Sequence, residues 1–308
     1  MRRLAALLAL SCAALPGCGE DEPSTPAASA TPAPAAPTAP AEPSGGGAPF
    51  VGSLSVDPGD GTLVIGTGLG LYRLEAGAGR AQPFEGELRT PDAEGAISPN
   101  LVLRFTGPGD LIASGHPKDA ASGLPEYLGL IASGDGGARW RPVSLLGDED
   151  LHALDAHGDV VAGQPVDEAR LLVSTDAGRT WDERTPPSQP VDVDLDPADP
   201  RRMALSTADG VFVSDDGGAS WRQRDVVTTE THLAWAGDGT LYRVDAAGGV
   251  QVSRDRGERW EDAGNAGGPP TTITVDAKDR LYVALTGGVI ARSDDGGASF
   301  RPLTTLAG

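Results

Sequence analysis

An eight-residue pattern, Ser-x-Asp-x-Gly-x-x-Trp, recurs along the chain at a nearly constant period and limits the possible folds more than any other feature. It reads Ser133-Asp135-Gly137-Trp140, Ser174-Asp176-Gly178-Trp181, Ser214-Asp216-Gly218-Trp221 and Ser253-Asp255-Gly257-Trp260. A fifth copy ends in phenylalanine, Ser293-Asp295-Gly297-Phe300. Successive serines are 41, 40, 39 and 40 residues apart. A period of this size marks a repeat architecture, each unit one supersecondary element packed on the next. The residue types suit a tight connection between two strands. Asp and Ser side chains bond turn backbone, glycine accepts a positive φ, and the aromatic opens the next strand and packs into the sheet.

An apolar strand precedes the repeated turns, as in Leu171-Leu172-Val173 and Val211-Phe212-Val213. Two more short strands lie upstream, such as 192–195 and 203–205, joined by Asp196-Pro197-Ala198-Asp199-Pro200. Four strands in ~40 residues is the size of a propeller blade. The expected fold is therefore an all-β, six-bladed β-propeller. Five blades cover about 95–144, 150–186, 190–226, 229–265 and 269–305. A first blade covers about 50–88, with its turn decayed to Leu74-Glu75-Ala76-Gly77-Ala78. Leu74 and Ser133 are 59 residues apart, too few for a further blade at this period, so the excess is assigned to long loops. The chain begins with an innermost strand and ends with an outermost one, so closure by strand exchange between the termini is not evident, and the sequence leaves the way the ring closes open.

Composition excludes several classes. Gly 43 and Pro 26 make 69 of 308 residues, a turn-rich chain incompatible with a helical bundle. Lys+Arg 24 against Asp+Glu 44 gives a net charge of −20, which repels a phosphate backbone and argues against nucleic acid as a partner. Beyond the first twenty residues no apolar run approaches the ~20 residues of a membrane-spanning helix.

The first residues carry an address. Arg2 and Arg3 precede an apolar run, Leu4 to Leu10, and small residues lead to Leu15-Pro16-Gly17-Cys18. This is the layout of a secretory signal. Its ending resembles the lipobox of bacterial lipoproteins, which implies that residues 1–17 are a signal peptide and that Cys18 is acylated as the new N-terminus. Cleavage there would also remove Cys12, leaving no pair for a disulfide. The mature charge would be 22 − 44 = −22. Residues 18–48 then form a Pro/Ala-rich linker with too little apolar content to fold. At ~3.1 Å per residue it would reach roughly 90 Å from a lipid anchor. Residues 49–308 are left for the propeller.

The repeated turn resembles the Asp box of the bacterial neuraminidase repeat. Over roughly 50–305 the chain resembles bacterial lipoproteins with sialidase-like or sortilin-like propellers, often labelled glycosyl hydrolases. Ser114-Gly115-His116-Pro117, 128–131 and 144–154 look like stretches of that family. Its His-x-His-Gly opening is Phe50-Val51-Gly52-Ser53 here, so a site built on those histidines is not expected. Sialidase chemistry, by the same resemblance, implies three arginines on the substrate carboxylate, a Tyr–Glu nucleophile pair and an aspartic acid/base. The Arg-Ile-Pro motif is missing. Tyr127 is the one tyrosine adjacent to a glutamate, Glu126, and neighbours in an extended strand face opposite ways. A residue set repeated in every blade cannot mark a single asymmetric site, so the boxes are read as scaffold and no catalytic residue is assigned.

Candidate binding residues come from loop lengths. In a four-stranded blade the second-to-third-strand loop and the link to the next blade leave from one end of the ring, opposite the repeated turns. The long insertions 85–98, 115–126 and 147–152 all fall at that end, in blades 1 to 3, and function gathers on such loops. His116, Lys118, Glu126, Asp148, Asp150 and His152 are the candidate ligand contacts. Imidazole beside carboxylate suits polar ligands; no metal ligand and no cofactor is assigned. The alternative is that His152 packs on the sheet, in register with Leu54, Val193 and Leu233, while the carboxylates stay solvated. The chain reads as a monomeric, membrane-anchored extracytoplasmic module that binds an envelope protein or glycan; an exo-glycosidase of the sialidase type is the alternative.

Overall fold

Each repeat folds as one antiparallel sheet whose first strand lies nearest the ring axis. The computed structural model describes residues 48–97, 100–166, 169–226 and 231–307. The signal peptide, Cys18 and the linker up to Gly47 lie outside the described residues. Blade 1 holds β1 (Val51–Val56), β2 (Leu63–Thr67), β3 (Gly70–Leu74) and β4 (Gln82–Phe84). The chain then makes β5 (Gly86–Arg89) and β6 (Glu94–Ile97). Blade 2 follows with β7 (Val102–Gly107), β8 (Asp110–Ser114), β9 (Leu130–Ser133) and β10 (Arg139–Ser144). Blade 3 is β11 (Leu151–His157), β12 (Val160–Pro165), β13 (Leu171–Ser174) and β14 (Asp182–Arg184). Blade 4 is β15 (Pro190–Leu195), β16 (Met203–Thr207), β17 (Gly210–Ser214) and β18 (Arg222–Asp225). Blade 5 is β19 (Thr231–Trp235), β20 (Leu241–Asp245), β21 (Gly249–Ser253) and β22 (Glu261–Asn265). Blade 6 is β23 (Pro270–Val275), β24 (Leu281–Leu285), β25 (Val289–Ser293) and β26 (Arg301–Thr305). Inner strands neighbour one another in order, and β23 returns beside β1.

The fold is thus the all-β, six-bladed propeller the repeat predicts. Among the described residues no sheet borrows a strand across the closing seam. Apolar packing seals it instead: Leu54 and Ile65 of blade 1 cluster with Tyr282, Ile290 and Leu306 of blade 6. Middle strands such as β16 and β17 are buried throughout, while outer strands such as β14 and β18 present charged residues to solvent. Charged edges discourage pairing with other chains.

The repeated turns are built from within and grip the blade before them. In each, the Ser hydroxyl donates to the Asp carboxylate and accepts the glycine N–H four residues on, as Ser214 does to Asp216 (2.8 Å) and from Gly218 (2.9 Å). The Asp also accepts a backbone N–H, that of Ser220 for Asp216 (2.8 Å). The carbonyls of these turns receive side chains from the preceding blade: Arg73 to Gly136, Ser144 to Gly178 and Arg184 to Gly217.

One expectation changes here. The link 85–98 is not a loop on the elaborated end; β5 adds in parallel to β10, pairing Glu87 with Arg139 and Leu88 with Trp140, and blade 2 becomes six-stranded. The hairpin covers Trp140, which is 3% exposed, whereas Trp181, Trp221, Trp260 and Phe300 are partly buried. The connections between first and second strands also vary, from 158–159 in blade 3 to 196–202 in blade 4.

Candidate functional site

The two long loops of blade 2 interlock because each supplies backbone partners to the other. The loop 115–129 is closed by Leu128 N–H donating to the Gly115 carbonyl (2.9 Å). It includes a short 3-10 turn, Ala120–Ser122, whose start Asp119 caps through the Ala121 N–H (2.8 Å). Leu124 and Leu128 are buried with Leu88, Ile97, Leu101 and Trp140, so the loop is packed onto the β5–β6 hairpin. Lys118 N–H donates to the Ala96 carbonyl, fixing the two together. The link from blade 2 to blade 3 turns sharply at Leu145, whose φ is 59°, a strained value for a bulky residue. Its carbonyl accepts Asp148 N–H (3.0 Å) and Glu149 N–H (3.2 Å). Gly147 N–H then reaches the Tyr127 carbonyl, and Gly129 N–H reaches that of Glu149. Only glycine fits at 129: its φ is 58°, and a Cβ there would sit 2.3 Å from the Leu145 carbonyl carbon.

This packing brings His116, Asp150 and His152 together. Asp150 is 3% exposed, and its Oδ2 faces His116 Nε2 at 3.0 Å and His152 Nε2 at 2.9 Å. Burial pushes the Asp150 carboxyl up, but the two imidazole hydrogen bonds outweigh it and hold the group at about 2. His116 Nδ1 lies 2.9 Å from the Glu126 carbonyl oxygen, and its ring meets Tyr127 edge-on at 5.7 Å. The hydrogen bond to Asp150 raises His116 above the ordinary imidazole range, against the effect of burial.

The other candidates play different parts. Glu126 offers its carbonyl to His116 while its carboxylate is exposed, and Asp148 is exposed as well. Lys118 pairs with Glu85 near the hairpin, away from the imidazoles. Glu149 pairs with Arg170 at 2.7 Å. His152 does not pack on the sheet, since half of its side chain is exposed, and Asp150 is not solvated. The register explains the histidine. Ser55, Asp155 and Asp194 each accept an N–H from the next blade's inner strand, which makes Leu54, Leu154 and Val193 the equivalent positions. His152 falls two residues earlier, at the end of the ring.

A second polar cluster, on the axis, escaped the loop-length reasoning. Arg104 on β7 donates from Nε to Asp155 on β11 (2.9 Å) and from Nη1 to the Leu54 carbonyl on β1 (3.2 Å) and Thr274 on β23 (3.3 Å). Its Nη2 lies 3.9 Å from Asp194 on β15. One guanidinium therefore ties blade 2 to four others. Burial, reinforced by the charge of Asp155, drives Asp194 well above the usual carboxylate range, Arg104 opposing. Burial likewise raises Asp192, which His232 opposes from 3.9 Å. The signal was a lone arginine among inner strands, two of whose matching positions, Asp155 and Asp194, are carboxylates. The axial arginine is already paired, and its neighbours are acids, so the three-arginine clamp of a sialidase is not assembled around it.

At the other end of the ring a groove of about 460 Å³ runs between blades 1 and 2, lined in part by Asp57, Asp60, Arg73 and Asp135. Asp57 accepts N–H groups from Gly59 in its own turn and from Gly109 in the next blade's, and Asp60 accepts that of Thr62, so these carboxylates are engaged by turn backbone. Among the described residues no group of three or more His, Cys, Asp or Glu is arranged to hold a metal ion.

Known proteins resemble this chain in fold. No protein-family model matches it, and no curated protein matches it in sequence. Among solved structures, an ancestral GH74 enzyme superposes with a TM-score of 0.53 at 14% identity over 85% of this chain. The GH74 xyloglucanase of Xanthomonas campestris superposes with a TM-score of 0.51 at 19% identity over 83%. The matches cover 39% and 45% of those enzymes. YCF48 bound to D1 peptide matches at a TM-score of 0.45 and 18% identity, over 66% of this chain and 67% of its own. At these identities the likeness establishes a propeller and nothing about activity.

Proposed function

We propose that the chain is a lipid-anchored, extracytoplasmic binding module that meets a protein or glycan of the cell envelope through the end of the ring bearing 115–129 and 145–152. The observation that carries this reading is the interlocking of those two insertions around Asp150, on an end of the ring that the repeated turns leave free. Loops built on a rigid frame are the usual place of recognition. The site offers a half-exposed imidazole and exposed carboxylates, with no paired acid and nucleophile at reacting distance, so binding is favoured over hydrolysis. Anchoring rests on the lipobox-like Leu15-Pro16-Gly17-Cys18. Ala48, the first described residue, lies against Gly288 in the β24–β25 loop, on the same end of the ring. An acylated tether would then hold the binding end toward its membrane.

The test is site-specific photo-crosslinking in cells that process the lipoprotein signal. A crosslinker at Lys118 or Asp148 is expected to trap an envelope component, and one at Ala219, in a repeated turn, is not. Adducts from Ala219 alone would refute the assignment. Cys18→Ala is expected to abolish incorporation of radiolabelled palmitate; unchanged labelling would refute the anchor.

A further inference from the structure

We infer that the 115–129 loop is a proton-gated strap, pinned to the 145–150 link by His116 while its imidazole is protonated and released when that proton is lost. The inference rests on the binding reading for its purpose, since the strap forms one side of the proposed surface, but its test needs no ligand.

The geometry demands a doubly protonated ring. Nε2 faces the Asp150 carboxylate at 3.0 Å and Nδ1 faces the Glu126 carbonyl at 2.9 Å. Both partners are acceptors only, so a neutral imidazole must turn a lone pair toward one of them. Asp150 is buried, so loss of the imidazolium removes the charge that faces its carboxylate and leaves one of the two contacts of His116 as lone pair against acceptor. The groups facing His116 are all accounted for. The link contributes Asp150, β11 contributes His152 through the shared Oδ2, and the strap itself contributes the Glu126 carboxylate and the Tyr127 ring. Lys118, two residues on, is engaged by Glu85, and Arg170 by Glu149.

The strap has few other ties to the link: Gly129 N–H to the Glu149 carbonyl and Gly147 N–H to that of Tyr127. The link it meets bends through a strained Leu145. Strain of this kind persists only where surrounding contacts enforce it. The remainder of the strap leans on the hairpin through Lys118 N–H and Leu124, contacts that titration of His116 leaves intact. Opening is therefore a local event, confined to one side of the loop.

The sign follows from linkage. His116 is raised in the closed state, so closure is fully supported below the ordinary value of 6.5 and the support is lost as pH rises through the raised value. Within that window one proton is taken up per closure, and protection changes about tenfold per pH unit.

The experiment is amide hydrogen exchange on the full chain from about pH 6 to about pH 8.5, each rate corrected for the intrinsic pH dependence. Protection of the Gly129 and Gly147 amides is expected to fall about tenfold per unit above the ordinary imidazole range, with blade 4 amides flat. His116→Gln, neutral throughout, is expected to exchange faster at the acid end and to show no slope. His152→Gln is expected to keep the slope. A flat wild type, a slope surviving in His116→Gln, or a slope abolished only by His152→Gln would overturn the inference. Nitrogen NMR of the wild-type His116 ring gives a check free of any variant. A titration midpoint above 6.5 is expected, and one at or below it would overturn the inference.

Discussion

Asp216 and Asp150 are both carboxylates held at about 2, and they are held there by different means. Asp216 draws on Ser220, through side chain and backbone, and on Ser214, all within one short turn. Asp150 is stabilised against burial by His116, which arrives on a separate loop, and by His152 at the start of β11. The first arrangement needs only local sequence and can therefore be copied around the ring. The second exists only because the ring holds blades 2 and 3 side by side. A local carboxylate can be repeated with its turn; one that gathers distant groups occurs only where the fold brings them together.

The largest effect is expected from breaking the frame that both depend on. Arg104→Leu leaves Asp155 and Asp194 buried without their cation, and a loss of ~3–5 kcal/mol is expected in urea unfolding. A midpoint within error of wild type would show that the axial cluster does not brace the blades.

Next comes the local arrangement itself. Ser214→Ala leaves the Gly218 N–H of a buried turn unsatisfied, and ~1–3 kcal/mol of global stability should go with it. Trp221→Ala should cost less than the ~3–5 kcal/mol of a fully buried aromatic, because the ring is only partly covered. Equal and negligible shifts in thermal melting for both would remove the turns from the scaffold.

The platform answers differently. Gly129→Ala drives a Cβ into the Leu145 backbone and should dislodge the strap from the link, with the melting midpoint falling by less than in Ser214→Ala. A melting loss larger than that of Ser214→Ala would show that the platform is part of the frame.

The smallest effect is on pH dependence. Asp194 is raised in the folded state, so its contribution is complete below 3.8 and is lost as pH rises through its folded value. Asp194→Asn keeps the oxygen that accepts Trp235 N–H and should flatten the decline in stability on the alkaline side of pH 4. Asp150 runs the other way: its contribution is present above 3.8 and is lost as pH falls toward 2. Asp150→Asn should therefore remove part of the acid-side loss. Melting curves of the two variants across pH that parallel wild type would contradict both signs.

How much of this was legible in the sequence follows the same division. The turns carry their own geometry in Ser, Asp and Gly at fixed spacing, so blade count and strand order could be read directly, whereas how the ring closes could not. Insertions have no period. Their lengths pointed to blades 1 to 3, yet could not distinguish a loop from the β5–β6 hairpin, whose partner β10 is reached only through the fold. His152 was misplaced by two positions along its strand, which put it at the exposed end of the ring and not between blades. Arg104 sits in an inner strand where every blade contributes one side chain, and its partners lie 50 and more residues away. Only alignment of the inner strands against one another, not any local pattern, could single it out.

The separation of platform from scaffold is tested most directly by hydrogen exchange over the whole chain in Asp150→Asn beside Ser214→Ala. The expected result is that Asp150→Asn exposes the amides of 126–129 and 145–149 while the other blades keep wild-type protection, and that Ser214→Ala leaves those amides closed. Unchanged protection of the platform in Asp150→Asn, or equal opening of it in Ser214→Ala, would contradict the account.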